Sequence, residues 1–122
     1  MTELKQCVTN SGDMPEQTFE WGSITIFSDE KVSPGAAQTL GICRILPGQH
    51  NPLHYHPNCE EVLHVLSGQG RHSFNDDSID LGVGSTIRIP IGVKHNLANT
   101  GDETLTCLIS FSSGTREAVF LE

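Results

Sequence analysis

Residues 48–68 read GQHNPLHYHPNCEEVLHVLSG, and four of the chain's six histidines, His50, His54, His56 and His64, fall inside this window. In an extended segment successive side chains alternate between faces with a rise of about 3.3 Å, so His54 and His56 share one face about 6.6 Å apart along the backbone. Two imidazoles so placed can converge on one ion, with metal to nitrogen distances of about 2.0 to 2.1 Å. Pro57 and Asn58 suit a turn, and a hairpin then returns Glu61, with Glu60 beside it, alongside the pair. A lone strand histidine is ordinarily a half-buried polar residue. Two at i and i+2 followed by a glutamate need a reason to be buried together. Thirty-four residues after Glu61, His95 follows IPIGVK, whose Pro90 and Gly92 suit a reversal at a barrel rim. It can supply a third imidazole.

Working outward, no stretch holds apolar side chains at helical spacing for more than about a turn, whereas short runs rich in Ile, Val, Leu, Thr and Phe recur throughout. Segments 23–27, 38–46, 53–56, 60–66, 69–74, 78–81, 85–89, 95–98, 104–111 and 116–121 read as strands, separated by turn signals such as PGQ, HPN, SGQG and NTGDE. Ten short strands in 122 residues indicate a single all-β sandwich or barrel. Residues 1–20, with Gly12 and Pro15, read as an N-terminal arm or an edge strand. Fifteen acidic against seven basic residues give a net charge of −8, which repels a phosphate backbone, so nucleic acid is not an expected partner. No apolar run approaches a membrane span, and MTELKQCVTN lacks the apolar core of a secretory leader. The expected compartment is cytoplasmic. Cys7, Cys43, Cys59 and Cys107 form no C-x-x-C pair and are expected as reduced core or surface residues.

The histidine window fits the first motif of the cupin superfamily, G-x5-H-x-H-x4-E-x6-G, at Gly48, His54, His56, Glu61 and Gly68. The second motif, G-x5-P-x-G-x2-H-x3-N, is met by GSTIRIPIGVKHNLAN at Gly84, Pro90, Gly92, His95 and Asn99. Fifteen residues separate the two, the short spacing of small single-domain microbial cupins of the cupin 2 type. The resemblance covers about residues 38–112. Within the superfamily, PLHYHPNCEEVLHVLSGQG is most similar to the metal-binding box of plant auxin-binding protein. What the resemblance implies is one cupin domain over residues 1–122, a jelly-roll β-barrel (double-stranded β-helix). It implies one divalent metal ion per chain, zinc, iron, manganese or nickel, held by His54, His56, Glu61 and His95. It also implies a homodimer, since cupins commonly pair through a sheet and VLHVL is apolar on both parities.

Three neutral imidazoles and a carboxylate around a divalent ion leave a net charge of about +1, so a small anion is the expected partner: a carboxylate, a hydroxy or keto acid, or a sugar acid. Two functions fit, a metal-dependent isomerase, lyase or dioxygenase, and a non-catalytic protein that anchors a small carboxylate on its metal. An inward acid or base beyond the ligands would separate them, and none is assigned. Pro52 and the PGQ turn take His50 out of register. His64 has the opposite parity to Glu61 and is expected in packing or a dimer contact. Tyr55 is expected to point outward and Cys59 to be directed away from the ligands. Arg44 and Arg88 read as surface ion pairs rather than substrate contacts, and Trp21 with Phe27 as core or subunit interface rather than a ligand platform.

Overall fold

The computed structural model describes residues 3–122. Two short 3-10 turns, Leu4–Cys7 and Ser11–Asp13, precede eleven strands among these residues: β1 Glu16–Phe19, β2 Gly22–Ser28, β3 Thr39–Ile45, β4 His54–Tyr55, β5 Glu61–Ser67, β6 Gly70–Phe74, β7 Asp77–Leu81, β8 Thr86–Ile89, β9 Leu97–Asn99, β10 Leu105–Phe111 and β11 Val119–Phe120. One wall is a six-stranded sheet in the order β1-β2-β3-β10-β5-β8. The facing wall combines β7-β6-β9 with β11-β4, and a bridge between His54 and His95 joins its two parts. All named pairings are antiparallel. This two-walled, all-β barrel is the jelly roll expected of the fold class.

Period-two alternation builds the interior. In β10 the inward set is Leu105, Cys107, Ile109 and Phe111, and in β5 it is Glu61, Leu63 and Val65. All of these but Glu61 meet Leu81 and Leu97 from the opposite wall in one apolar cluster. Three thiols, Cys43, Cys59 and Cys107, are buried in it, and Cys7 is exposed. Burial raises the pKa of all three buried thiols, that of Cys107 to about 12, so they behave as small apolar residues.

The motif glycines serve the turns that join these strands. Gly48, Gly68, Gly84 and Gly92 all take positive φ, between 76° and 88°. At Gly68, which turns β5 into β6, a Cβ would also lie 2.9 Å from Leu105 Cα, so the left-handed conformation and the close strand approach both demand glycine. Asn99 has a structural role: its amide donates to the Ile45 and Glu103 carbonyls and its Oδ1 accepts from Gly101 N–H.

Of the arm and the edge strand expected within residues 1–20, Glu16–Phe19 forms the edge strand, against β2. Two segments depart from the strand reading. The strand expected at 95–98 begins at Leu97, because His95 pairs with His54 alone through two backbone hydrogen bonds of 3.1 and 2.8 Å. The strand expected at 116–121 shrinks to Val119–Phe120. Its first half bonds instead to the histidine loop, with Glu117 N–H donating to Asn58 Oδ1 and the Glu117 carbonyl accepting from His56 Nδ1.

Candidate metal centre

His54 lies in β4, and His56 follows it after one residue, so the two imidazoles enter the barrel on one face. Their rings sit edge to face with centroids 4.9 Å apart. His95 is clamped to His54 by the paired backbone hydrogen bonds, and its ring centroid lies 4.3 Å from that of His54. Gly92 N–H donates to the His56 carbonyl at 3.0 Å, which ties the IPIG turn to the same strand. Glu61 does not return along a hairpin as expected but comes from the opposite wall, because β5 pairs with β10 and β8 rather than with β4; it is the first inward residue of β5, with its Oε1 3.3 Å from His56 Nε2 and 3.1 Å from His95 Nε2. The four side chains are buried, and one potential ligand atom from each lies within 4.8 Å of the others.

The tautomers decide what this cluster can hold. Nδ1 of His54 donates to the Pro52 carbonyl at 2.7 Å, that of His56 to Glu117 at 2.8 Å and that of His95 to Val93 at 2.9 Å. With each Nδ1 proton committed, all three Nε2 atoms face inward as lone-pair acceptors around a carboxylate. His56 Nε2 is buried without a hydrogen-bonding partner. Four acceptors gathered in a buried space need a cation. A proton on His95 answers them in part: burial opposes its charge, but the Glu61 carboxylate raises its pKa nonetheless. Burial also works against the Glu61 charge, yet the His56 and His95 rings hold the carboxyl well below its usual range. A divalent cation answers all four acceptors, and the donor set, three imidazoles and one carboxylate, suits such an ion.

The cluster forms one end of a cavity of about 430 Å³. Most of its wall is apolar, with Trp21, Ile45, Leu63, Leu97, Ile109 and Phe111 contributing, and Phe19, Phe120 and Arg116 also line it. Trp21 packs against the core, as expected, and also lines the cavity. The indole stacks on Phe19 at 4.9 Å and 3° because the β1 to β2 hairpin sets the two rings side by side.

The remaining candidates lie outside the ligand cluster. His64 faces away from the cavity and meets Thr86 Oγ1 at 2.7 Å, and His50 is exposed beside Glu122. Tyr55 is not part of the cavity wall, and Cys59 is buried in the apolar cluster. Arg44 pairs with Glu16 at 3.7 Å and Arg88 with Glu60 at 2.6 Å, both at the surface. Two wall residues carry no sequence signal comparable to the histidine pair. His72 is buried, stacks on His95 with centroids 5.6 Å apart, and gives its Nδ1 proton to the Ser73 carbonyl. Arg116 lies outside any regular strand, its guanidinium 4.9 Å from the Phe111 ring centroid.

Comparison with known proteins bears on the family and the fold. The family model described as "Cupin domain" matches residues 41–111. Protein SchB of Streptomyces halstedii is 28% identical over 102 residues, covering 84% of this chain and 74% of that protein. Auxin-binding protein 1 of Arabidopsis thaliana is 39% identical over 75 residues, 54% of this chain and 37% of its own length. Among solved structures, the Lactobacillus farciminis oxalate decarboxylase formate complex superposes with a TM-score of 0.83 at 28% identity. The match covers 90% of this chain but 34% of that one. The chain thus spans about a third of the oxalate decarboxylase and of the plant relative. No helix of the described residues is long and apolar enough to cross a membrane.

Proposed function

Since the chain belongs to the cupin family, with its cupin domain matched over residues 41–111, we propose that it binds one divalent ion through His54, His56, Glu61 and His95 and acts there on a small carboxylate, hydroxy acid or keto acid. The observation that carries this reading is the convergence of three Nε2 lone pairs and a carboxylate on one buried space, with His56 Nε2 left unpartnered. Bound there, the ion would supply Lewis-acid polarisation of an oxygen donor, or dioxygen chemistry if it is iron. The chain's own groups do the rest. The apolar wall excludes water, and the committed Nδ1 atoms hold the imidazoles in one orientation. His72, whose pKa burial lowers, offers a proton acceptor on the cavity wall. That residue favours an enzyme over a non-catalytic carboxylate-binding protein, the second reading of the same site.

Calorimetric titration with oxalate, pyruvate and glucose tests this on zinc-loaded and metal-free protein. The carboxylates are expected to bind only when the metal is present, and glucose is expected not to bind. Equal carboxylate binding without metal would overturn the reading.

We also read the protein, as one domain over residues 1–122, as a homodimer. Val62 and Leu66 on the outer side of β5, with Leu40 of β3 and Leu46 just beyond it, leave an exposed apolar face on the six-stranded wall. Sedimentation at micromolar concentration is expected to give twice the 13.3 kDa chain mass, and a species at the chain mass contradicts the dimer.

A further inference from the structure

The chain has four arginines. Three make surface ion pairs: Arg44 with Glu16, Arg71 with Asp80 and Arg88 with Glu60. Arg116 is different. Its side chain lines the cavity and makes no ion pair or side-chain hydrogen bond among the described residues, although the chain carries a net charge of −8 and offers fifteen carboxylates. A half-buried guanidinium that leaves its donors unused is prepared for an anion from outside, because a planar fork meets a carboxylate with two parallel hydrogen bonds.

The surroundings say what else that anion carries. Arg116 lies 4.9 Å from the Phe111 ring centroid, and the His56 ring lies 5.0 Å from it, so the cation and the histidine cluster flank one phenyl group. The cavity beside them is of a size that takes molecules well beyond a two-carbon acid. Its mouth exposes Phe19 at 44% and Phe120 at 61%, a cost in hydration that a polar ligand would not relieve. Phe19 and Trp21 are stacked parallel on one another and both line the cavity, and a planar ring can continue such a stack.

We propose that Arg116 is the anion-recognition residue of the cavity, and that the ligand is a planar aromatic or conjugated acid of about two fused rings, with its carboxylate on Arg116 and a second oxygen donor directed to the histidine cluster. This deepens the metal-centred reading, and it rests on that reading only for the second oxygen.

The probe is 6-hydroxy-2-naphthoate, whose oxygen functions lie at opposite ends of a two-ring body. Binding is read by calorimetry and by fluorescence quenching of Trp21, the single tryptophan of the chain. Zinc-loaded protein is expected to bind the probe at least about tenfold more tightly than oxalate, which lacks the rings, or 2-naphthol, which lacks the carboxylate. Arg116→Gln is expected to weaken probe binding by about ten- to a hundredfold, the range for loss of a charge-assisted hydrogen-bonded pair, and to leave 2-naphthol binding unchanged. Arg116→Lys restores part of the loss, and Arg88→Gln, which removes an equal charge from the surface, changes nothing. Equal probe affinity in Arg116→Gln and the unaltered protein, or tighter binding of oxalate than of the probe, overturns the proposal. Should zinc-loaded and metal-free protein bind the probe equally while the Arg116→Gln loss persists, the assignment of Arg116 stands and the metal-centred reading falls.

Discussion

Replacing His56 with alanine is expected to remove most of the bound metal, with a loss of affinity greater than the roughly 10- to 100-fold that follows from disturbing a partner behind a ligand. The inward nitrogen of His56 is fully buried and has no hydrogen-bond partner in the protein, so its replacement takes away a donor that nothing nearby can supply. The substitution also frees the Glu117 carbonyl, which accepts from His56 Nδ1 at 2.8 Å, and loosens the segment that carries Arg116. His64→Ala is the matched control, since that imidazole lies on the outer side of β5 and meets only Thr86. Mass spectrometry under native conditions should find the metal in His64→Ala and not in His56→Ala. Full metal content in the His56 variant would refute the ligand assignment.

The metal-free protein is expected to lose stability as the pH falls from about 6.5 to about 4. Burial, followed by the charge of His95, lowers the His54 pKa from 6.5 to about 4. Across that window the unfolded chain takes up a proton on His54 and the folded chain does not, so falling pH favours unfolding. At 1.36 kcal/mol per pKa unit the full difference is about 3 kcal/mol, complete near pH 4. His72, lowered by burial and by His95, acts in the same direction. His95 acts in the opposite one, because Glu61 raises its pKa in the folded state and its contribution is present at low pH. Urea unfolding of metal-free wild type and His54→Asn between pH 7 and pH 4 isolates the His54 part. The wild type should lose about 3 kcal/mol more than the variant across the window, and parallel profiles would sink the argument. Protons and metal compete for the same lone pairs, so bound zinc should flatten the upper part of the wild-type profile.

That His54 and His56 share a face was legible in the sequence because strand parity is a local rule, whereas Glu61 and His95 joined them through the motif resemblance, since β5 lies in the wall opposite β4 and no hairpin connects the two. Position i and i+2 means the same face whatever the rest of the chain does. The limits of β9 and β11 were not, since an isolated bridge at His95 and side-chain bonds to Glu117 replace the ladder there. The cavity wall was the least legible part. Phe19, Trp21, Arg116 and Phe120 come from opposite ends of the chain and meet only when the two walls close, so no spacing rule relates them. His72 had the right parity in β6 but no companion at i±2 to distinguish it from an ordinary half-buried histidine.

The chain's last residues lie against the strand that carries His54. Val119 and Phe120 pair with Tyr55 and His54, Leu121 N–H donates to the Leu53 carbonyl at 2.9 Å, and Leu53 N–H donates to Glu122 Oε1 at 2.6 Å. The two sides of the cavity therefore have unequal lifetimes. The side built from β5 and β10 is central to the large sheet and opens only when the molecule unfolds globally. The side built from β11 is a two-residue strand paired with the two-residue β4 and held by a handful of hydrogen bonds, and so small a ladder opens on far shorter timescales. Ligand residence time is thus expected to follow the opening of the β4–β11 ladder as well as affinity, with hydrogen exchange at Leu53 and Leu121 well ahead of exchange in β10.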